Sequence, residues 1–236
     1  MTSVPDFSKA KETYKENAFA QKQMANTLSA LCLKHFGANW GKILEIGSGT
    51  GLLTKNIADN FKFNEIILND LTDNFTGFNF PFLRGDAAKI TLPGECDLII
   101  SNACFQWILD VKNFFIKLKN ILKSDGVLAF SSFAQDNCRE FKLITGLGLE
   151  YVNYPKILKE CGYEIVEYQR ELKTIYFKTP RDVLRHIKST GAIVSEGYIR
   201  SKSILRAFEE EYNRRFSDDM GVSLTYNPLY ILARSK

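Results

Sequence analysis

Nine residues, Ile43-Leu44-Glu45-Ile46-Gly47-Ser48-Gly49-Thr50-Gly51, constrain this chain more than any other stretch. The apolar run reads as a buried parallel strand over 42–47, and the residues after it as a helix over 51–60. Alternating glycines at the junction permit a sharp turn and leave bare backbone for a ligand to approach. Loops of this kind bind nucleosides at the carboxyl edge of open α/β sheets. The spacing is Glu-x-Gly-x-Gly-x-Gly, whereas the dinucleotide fingerprint would require its third glycine at Leu52. A nicotinamide cofactor is thereby disfavoured.

The pattern that follows extends the same architecture. Strands are predicted over 65–69, ending near Leu83, over 96–101 and over 126–133, with an amphipathic helix over 111–122. A helical segment over 7–36 precedes them. Beyond residue 135, helices are predicted over 138–146, 154–161, 181–189 and 201–215, with extended runs over 163–177 and 222–233. Pro228 reads as a bulge or edge position, and the last two runs as an antiparallel hairpin at the sheet edge. The expected fold is α/β: a doubly wound, mostly parallel seven-stranded sheet with an antiparallel last strand and a helical lid. At 236 residues this is read as one domain. N-terminal helices occupy 1–39, a ligand-binding core 40–135, and a substrate-side half 136–236 whose lid is 178–216.

No window of about 18 apolar residues and no secretory signal pattern is present, so neither a membrane span nor export is expected. Five scattered cysteines that never form Cys-x-x-Cys, with only two histidines, argue against a structural zinc site, no metal is expected, and reduced thiols suit the cytoplasm. Net charge is +4, too small by itself to imply nucleic acid. Its distribution is uneven. Residues 178–206 hold seven basic and two acidic side chains, a net +5 that leaves the remainder at −1. A solvated helix face and a patch for an acidic partner both account for this.

Three acids stand where chemistry is expected. Asp70 closes the second strand, 19 residues after Gly51, where a carboxylate accepts from both hydroxyls of a ribose. Asp86, in Gly85-Asp86-Ala87, follows the third strand and suits an exocyclic amine, or else an ordinary turn. Glu45 lies inside a buried strand and needs a ligand amine, the loop amides or an ion pair to offset its burial.

Together, the glycine loop, Asp70 and Gly85-Asp86-Ala87 resemble the class I S-adenosylmethionine-dependent methyltransferases over about residues 40–133. That resemblance implies that the loop holds the methionine portion of the cofactor, Asp70 its ribose and Asp86 its adenine, with S-adenosylhomocysteine as product. The family places a helix between Asp70 and Asp86, but the sixteen-residue interval with Gly77 and Pro81 makes it short or absent.

A narrower resemblance, to the malonyl-acyl-carrier-protein O-methyltransferases of biotin synthesis, covers nearly the whole chain. It rests on Phe7-Ser8-Lys9-Ala10 with Tyr14 and Gln21, Ser101-Asn102 with Gln106-Trp107, Arg185-x-x-Lys188-x-x-Gly191-Ala192, and Leu224-Thr225-Tyr226. It implies cofactor contacts from Tyr14, Gln21, Glu45, Gly47, Ser48, Gly49, Gly51, Asp70, Leu71, Asp86, Ala87 and Asn102. Phe105, Gln106 and Trp107 would line the acyl pocket, and Tyr14, Arg185 and Lys188 would capture the substrate carboxylate, the last two lying on one helical face. The implied partner is malonyl-acyl carrier protein, whose acidity suits the basic lid, with neither nucleic acid nor membrane involved. The Asn/Asp-Pro-Pro-Tyr motif of base N-methyltransferases is absent, Ser101-Asn102-Ala103-Cys104 standing in its place. A methyltransferase for a free small acid, as in the trans-aconitate enzymes, and a non-catalytic S-adenosylmethionine- or RNA-binding protein remain as alternatives.

Overall fold

Strands buried on both faces need helices on both sides, and this requirement organises the larger part of the molecule. β1 (Asn39–Ile46), β2 (Lys62–Asp70), β4 (Cys96–Asn102) and β5 (Leu122–Phe133) carry the buried runs Ile43 to Ile46, Ile66 to Leu68, Leu98 to Ile100 and Val127 to Phe130. β1 pairs in parallel with β2 and β4, β4 with β5, and β2 with the short β3 (Phe82–Arg84). With β6 (Tyr163–Arg170) and β10 (Pro228–Ser235) the sheet order is β3-β2-β1-β4-β5-β10-β6, β10 running antiparallel to β6. This is the doubly wound seven-stranded sheet expected from the sequence. Strand order reverses between β1 and β4, so their carboxyl ends open the crevice in which such sheets bind ligands.

The computed structural model describes residues 19–73, 77–148, 150–190 and 201–236. They fall into two compact units. The first comprises residues 20–132, 152–170 and 229–236 and contains the seven-stranded sheet with α1 (Phe19–Phe36), α2 (Leu52–Asn60), α3 (Val111–Ile121) and α5 (Tyr154–Glu160). α3 shows why the periodicity was readable: Val111, Phe114, Phe115 and Leu118 are buried at i, i+3, i+4 and i+7, and Asp110 caps its start by accepting from Asn113 N at 3.1 Å. The second unit includes residues 133–151 and 171–228, with α4 (Arg139–Thr145), α6 (Pro180–Thr190), α7 (Lys202–Phe216) and a three-stranded antiparallel sheet. That sheet has the order β7 (Lys173–Phe177), β9 (Gly221–Tyr226), β8 (Ser217–Asp218). Buried Glu140 of α4 accepts from the Thr225 amide at 2.8 Å and from its hydroxyl, tying α4 to β9.

Several boundaries differ from the sequence expectation. The extended run 163–177 is two strands, β6 and β7, in two different sheets, and the run 222–233 is likewise divided into β9 and β10. In both runs the hydrogen-bond partners change partway, β6 pairing with β10 and β7 with β9. Asn227 accepts from Ala134 N at 2.8 Å and its own amide donates to Asn137 Oδ1 at 3.1 Å, which takes it out of the ladder. Pro228 is the first residue of β10 instead of a bulge; the irregularity lies at Leu232/Ala233. β10 sits inside the sheet, and β6 forms the edge.

Phe105 also departs from expectation. It was assigned to the acyl pocket, yet it is 0% exposed, its ring 5.3, 5.9 and 4.9 Å from those of Phe114, Phe115 and Phe130. A side chain without accessible surface cannot line a pocket; Phe105 is core, placed there by the one-turn helix Phe105–Trp107. Phe105→Ala should lower stability by about 3–5 kcal/mol, measured by urea unfolding, through cavity formation.

Candidate functional site

The glycine loop after β1 is left-handed at every second residue. Gly47, Gly49 and Gly51 have φ of 74°, 53° and 87°, a twist that L side chains resist. Two of these glycines are required for different reasons. A Cβ on Gly47 would lie 2.5 Å from Cys104 Sγ, so the loop is pressed against the β4 connection there. A Cβ on Gly49 would meet nothing within 4 Å among the described residues, which leave open space above the loop at that point.

The end of β2 holds the loop in place. Gly47 N and Ser48 N both donate to Asn69 O, at 2.8 and 3.0 Å. Gly49 N donates to Asp70 Oδ2 at 2.9 Å, while Asp70 Oδ1 accepts from Thr72 N at 3.0 Å. Leu71, between them, is exposed. Asn69 was not singled out from sequence, yet it is buried and its side-chain amide donates onward to Leu83 O and Gly85 O, at 2.8 and 3.0 Å. Only its position, one residue before the expected ribose acid, pointed to it. Asp86 folds the following turn by accepting from Ala88 N at 3.0 Å and pairs with Lys89 at 3.0 Å; Ala87 is buried beside it. Among the described residues between β2 and β3 none is helical.

Glu45 has a partner that the sequence reading did not consider. Thr54 Oγ1 donates to Glu45 Oε2 at 2.6 Å. Gly51, the N-cap of α2, has no side chain to offer. The buried acid is thus tied to a side chain of the first turn of α2, while the amides at the start of that helix keep no side-chain cap. Burial, and to a lesser degree the neighbouring Asp70 charge, pushes its carboxyl up to about 8.

At the other end of the crevice, Asn102 closes β4. Its amide donates to Gln21 O at 3.0 Å and its oxygen accepts from Ser131 Oγ at 2.6 Å, drawing the start of α1 toward the carboxyl end of the sheet. Gln106 Nε2 donates to Ala103 O at 2.6 Å and Gln106 Oε1 accepts from Ser132 Oγ at 3.3 Å, which fixes the loop that carries half-buried Trp107.

Three side-chain oxygens of this region are buried without a hydrogen-bond partner among the described residues: Gln21 Oε1, Ser48 Oγ and Thr50 Oγ1. Each costs about 1–3 kcal/mol if left so, a penalty that a polar ligand relieves. With the open space at Gly49 and the uncapped start of α2, they fit the amino-acid and sugar portions of S-adenosylmethionine. A methyltransferase domain family model matches residues 44–130, which span this loop and both acids. Over 98% of its length the chain is 39% identical to a malonyl-[acyl-carrier protein] O-methyltransferase of Calditerrivibrio nitroreducens, covering 96% of that protein. The chain belongs to this O-methyltransferase family. The fold agrees: a Bacillus halodurans structure described as a methyltransferase superposes with a TM-score of 0.64 at 16% identity, covering 90% of this chain and 99% of that one. A Burkholderia thailandensis 1,6-didemethyltoxoflavin-N1-methyltransferase, solved with S-adenosylhomocysteine, gives 0.53 at 15%, covering 97% and 86%. As an O-methyltransferase of this family, the chain uses S-adenosylmethionine as its methyl donor.

The carboxylate-capturing residues expected in this O-methyltransferase are not gathered at the loop by anything described. Tyr14 lies outside the described residues, as do Gly191 and Ala192. Arg185 and Lys188 are exposed on α6 of the second unit, and Arg185 already pairs with Asp182 one turn away. His186, without a site role in the sequence reading, bonds to Tyr226 at 2.8 Å within the same unit.

Gly47→Ala should abolish measurable S-adenosylhomocysteine binding by calorimetry, since both φ and the Cys104 contact forbid the methyl group. For Glu45, the folded protein keeps a proton that the unfolded chain releases above about pH 4.5, so this carboxyl lowers stability as pH rises toward 8. Melting of the cofactor-free Glu45→Gln variant should therefore gain on the parent between about pH 4.5 and about pH 8, with the difference constant above that.

Proposed function

We propose that this enzyme methylates the free carboxylate of a malonyl group carried on acyl carrier protein, at the start of pimeloyl and biotin synthesis. One observation carries the reading: identity to the Calditerrivibrio nitroreducens enzyme extends over 98% of the chain, far outside the 44–130 methyltransferase core. The second unit, which the core does not require, is thus part of the likeness.

Gln21, Ser48, Gly49 and the start of α2 would hold the amino-acid end of the cofactor, Asp70 and Leu71 its ribose, Asp86 and Ala87 its adenine, and Asn102 the floor beneath. When bound, S-adenosylmethionine supplies an electrophilic methyl group on a sulfonium. The acceptor carboxylate has an ordinary pKa near 4 and is ionised at neutral pH, so no protein base is needed. What the chain must supply is alignment of one oxygen with the methyl and exclusion of water. We assign capture of the carboxylate to Arg185, Lys188 and Tyr14, with Arg185 exchanging Asp182 for the substrate, and the acceptor side of the pocket to Gln106 and Trp107. Methylation hides a charge, which makes the malonyl group an apolar primer for chain elongation.

The acidic carrier is read as docking on the basic segment 178–206. Pairing refines that patch. Among the described residues Arg181 is matched by Glu209 and Arg185 by Asp182, which leaves Lys178, Lys188, Lys202 and Arg206 as the described cations read as facing the carrier. Neither nucleic acid nor membrane is assigned as a partner; no helix among the described residues is long and apolar enough to cross a bilayer. All five cysteines are free, and Cys32, Cys104 and Cys138 are pushed up to about 12 by burial, which suits the reducing cytoplasm.

Radiolabelled S-adenosylmethionine offered with malonyl-acyl carrier protein, malonyl-coenzyme A or trans-aconitate tests this reading. Turnover should be fastest on the carrier protein and should fall steeply with added salt through KM. Equal turnover of malonyl esters without the carrier, or preference for trans-aconitate, would assign the enzyme to free small acids. Reversing both charges, Arg185→Glu with Lys188→Glu, should raise KM for the carrier substrate by about tenfold or more.

A further inference from the structure

The turn after β3 is held by side chains that lie outside it. From β2, Asn69 donates to Leu83 O and Gly85 O. From α3, the Lys117 ammonium donates to Ala87 O at 2.8 Å and to Ile90 O. Four carbonyls of one short segment are thus taken up by two residues. Lys117 is half-buried, and desolvation lowers its pKa from the ordinary lysine value, with the Asp86 charge opposing that shift. Removing an ammonium from water for two neutral acceptors is costly, and a lysine on the exposed side of α3 would avoid that cost.

The need for such a brace follows from the topology. β3 is a three-residue strand at the edge of the sheet, bonded only to β2. No described residue between β2 and β3 is helical, so the element that would buttress this edge is lacking there. The turn itself is stiff. Lys89 N and Ile90 N donate to Asp86 O, and a Cβ on Gly85, whose φ is 142°, would stand 2.6 Å from Ile90 Cγ2. A stiff turn on a weak edge moves as one piece unless it is held from both sides.

We propose that Lys117 is a positioning residue for the cofactor: it fixes the height of the Asp86-Ala87 turn relative to the glycine loop and so sets affinity at the adenine end. This rests on the reading of Asp86 and Ala87 as the adenine side of the site. Asn69 anchors the near half of the turn and Lys117 the far half, where no other anchor from outside the turn is described. Lys119 provides an internal control. It lies two residues on in α3 and also donates to two backbone carbonyls, Cys161 O and Gly162 O, at 3.3 and 2.8 Å, but at a segment remote in sequence from the turn.

Calorimetric titration with S-adenosylhomocysteine and with 5′-methylthioadenosine, which keeps the adenosine and lacks the amino-acid end, tests the assignment on four proteins: the parent, Lys117→Met, Lys117→Arg and Lys119→Met. Lys117→Met should weaken both ligands by about tenfold, leave kcat at saturating cofactor within about twofold of the parent, and be largely rescued by Lys117→Arg. Lys119→Met should bind as the parent does. Parent-like binding by Lys117→Met overturns the proposal. So does an equal loss in Lys117→Met and Lys119→Met that tracks an equal fall in melting temperature, since that outcome is general destabilisation. Failure of the parent to bind S-adenosylhomocysteine is a separate result and would remove the cofactor reading itself.

Discussion

Two consecutive residues at the end of β2 join three parts of the site. The carbonyl of Asn69 receives Gly47 N and Ser48 N, its side-chain amide reaches Leu83 O and Gly85 O, and its neighbour Asp70 receives Gly49 N on its carboxylate and Gly85 N on its carbonyl. A parallel sheet leaves the groups at its carboxyl end without ladder partners, and here those groups are spent on one another. The loop after β1 and the turn after β3 are therefore positioned by the strand between them. The left-handed glycines make the loop possible, but Asn69 and Asp70 decide where it lies.

Glu45 is a second case of a polar group whose cost is offset locally. A carboxyl inside a central strand is expensive to ionise, and the glycine at the start of α2 leaves that helix uncapped. Thr54 answers the first need, donating its hydroxyl to the buried acid. The acid is thus a structural part of the strand-loop-helix unit as well as a candidate neighbour of the cofactor. Ser48, Thr50 and Gln21 contrast with it, since their buried oxygens have no such partner among the described residues.

The core sheet and its acids were legible because each depends on local pattern. Ile43, Leu44 and Ile46 and the run Leu98 to Ile100 are apolar and buried, as strands covered on both faces must be, and α3 repeats its buried side chains with helical spacing. Phe105 was misread because an aromatic after a strand is equally at home in a pocket wall and in a core; only its neighbours, Phe114, Phe115 and Phe130, separate the two. The division of 163–177 and 222–233 was not legible either. Each run stays extended while its ladder partner changes, and the sideways bonds of Asn227 to Ala134 and Asn137 join residues about 90 positions apart.

The amino-acid sequence by itself determined the class of sheet, the identity of the methyl donor and, through the spacing that puts Leu52 where a dinucleotide loop has glycine, the rejection of a nicotinamide. The sheet class and that rejection follow from short-range rules, φ at glycine, apolar periodicity and an acid at the end of a strand, while the methyl donor follows from the family resemblance those residues carry. Tertiary structure alone decided that Glu45 accepts from Thr54, that Asn69 is the hub of the site, that Lys117 braces the turn after β3 and that Arg185 rests against Asp182. Each of these depends on which distant backbone group or charge lies within about 3 Å of a side chain, and hydrogen-bond partners at that range are set by packing, which no local pattern encodes.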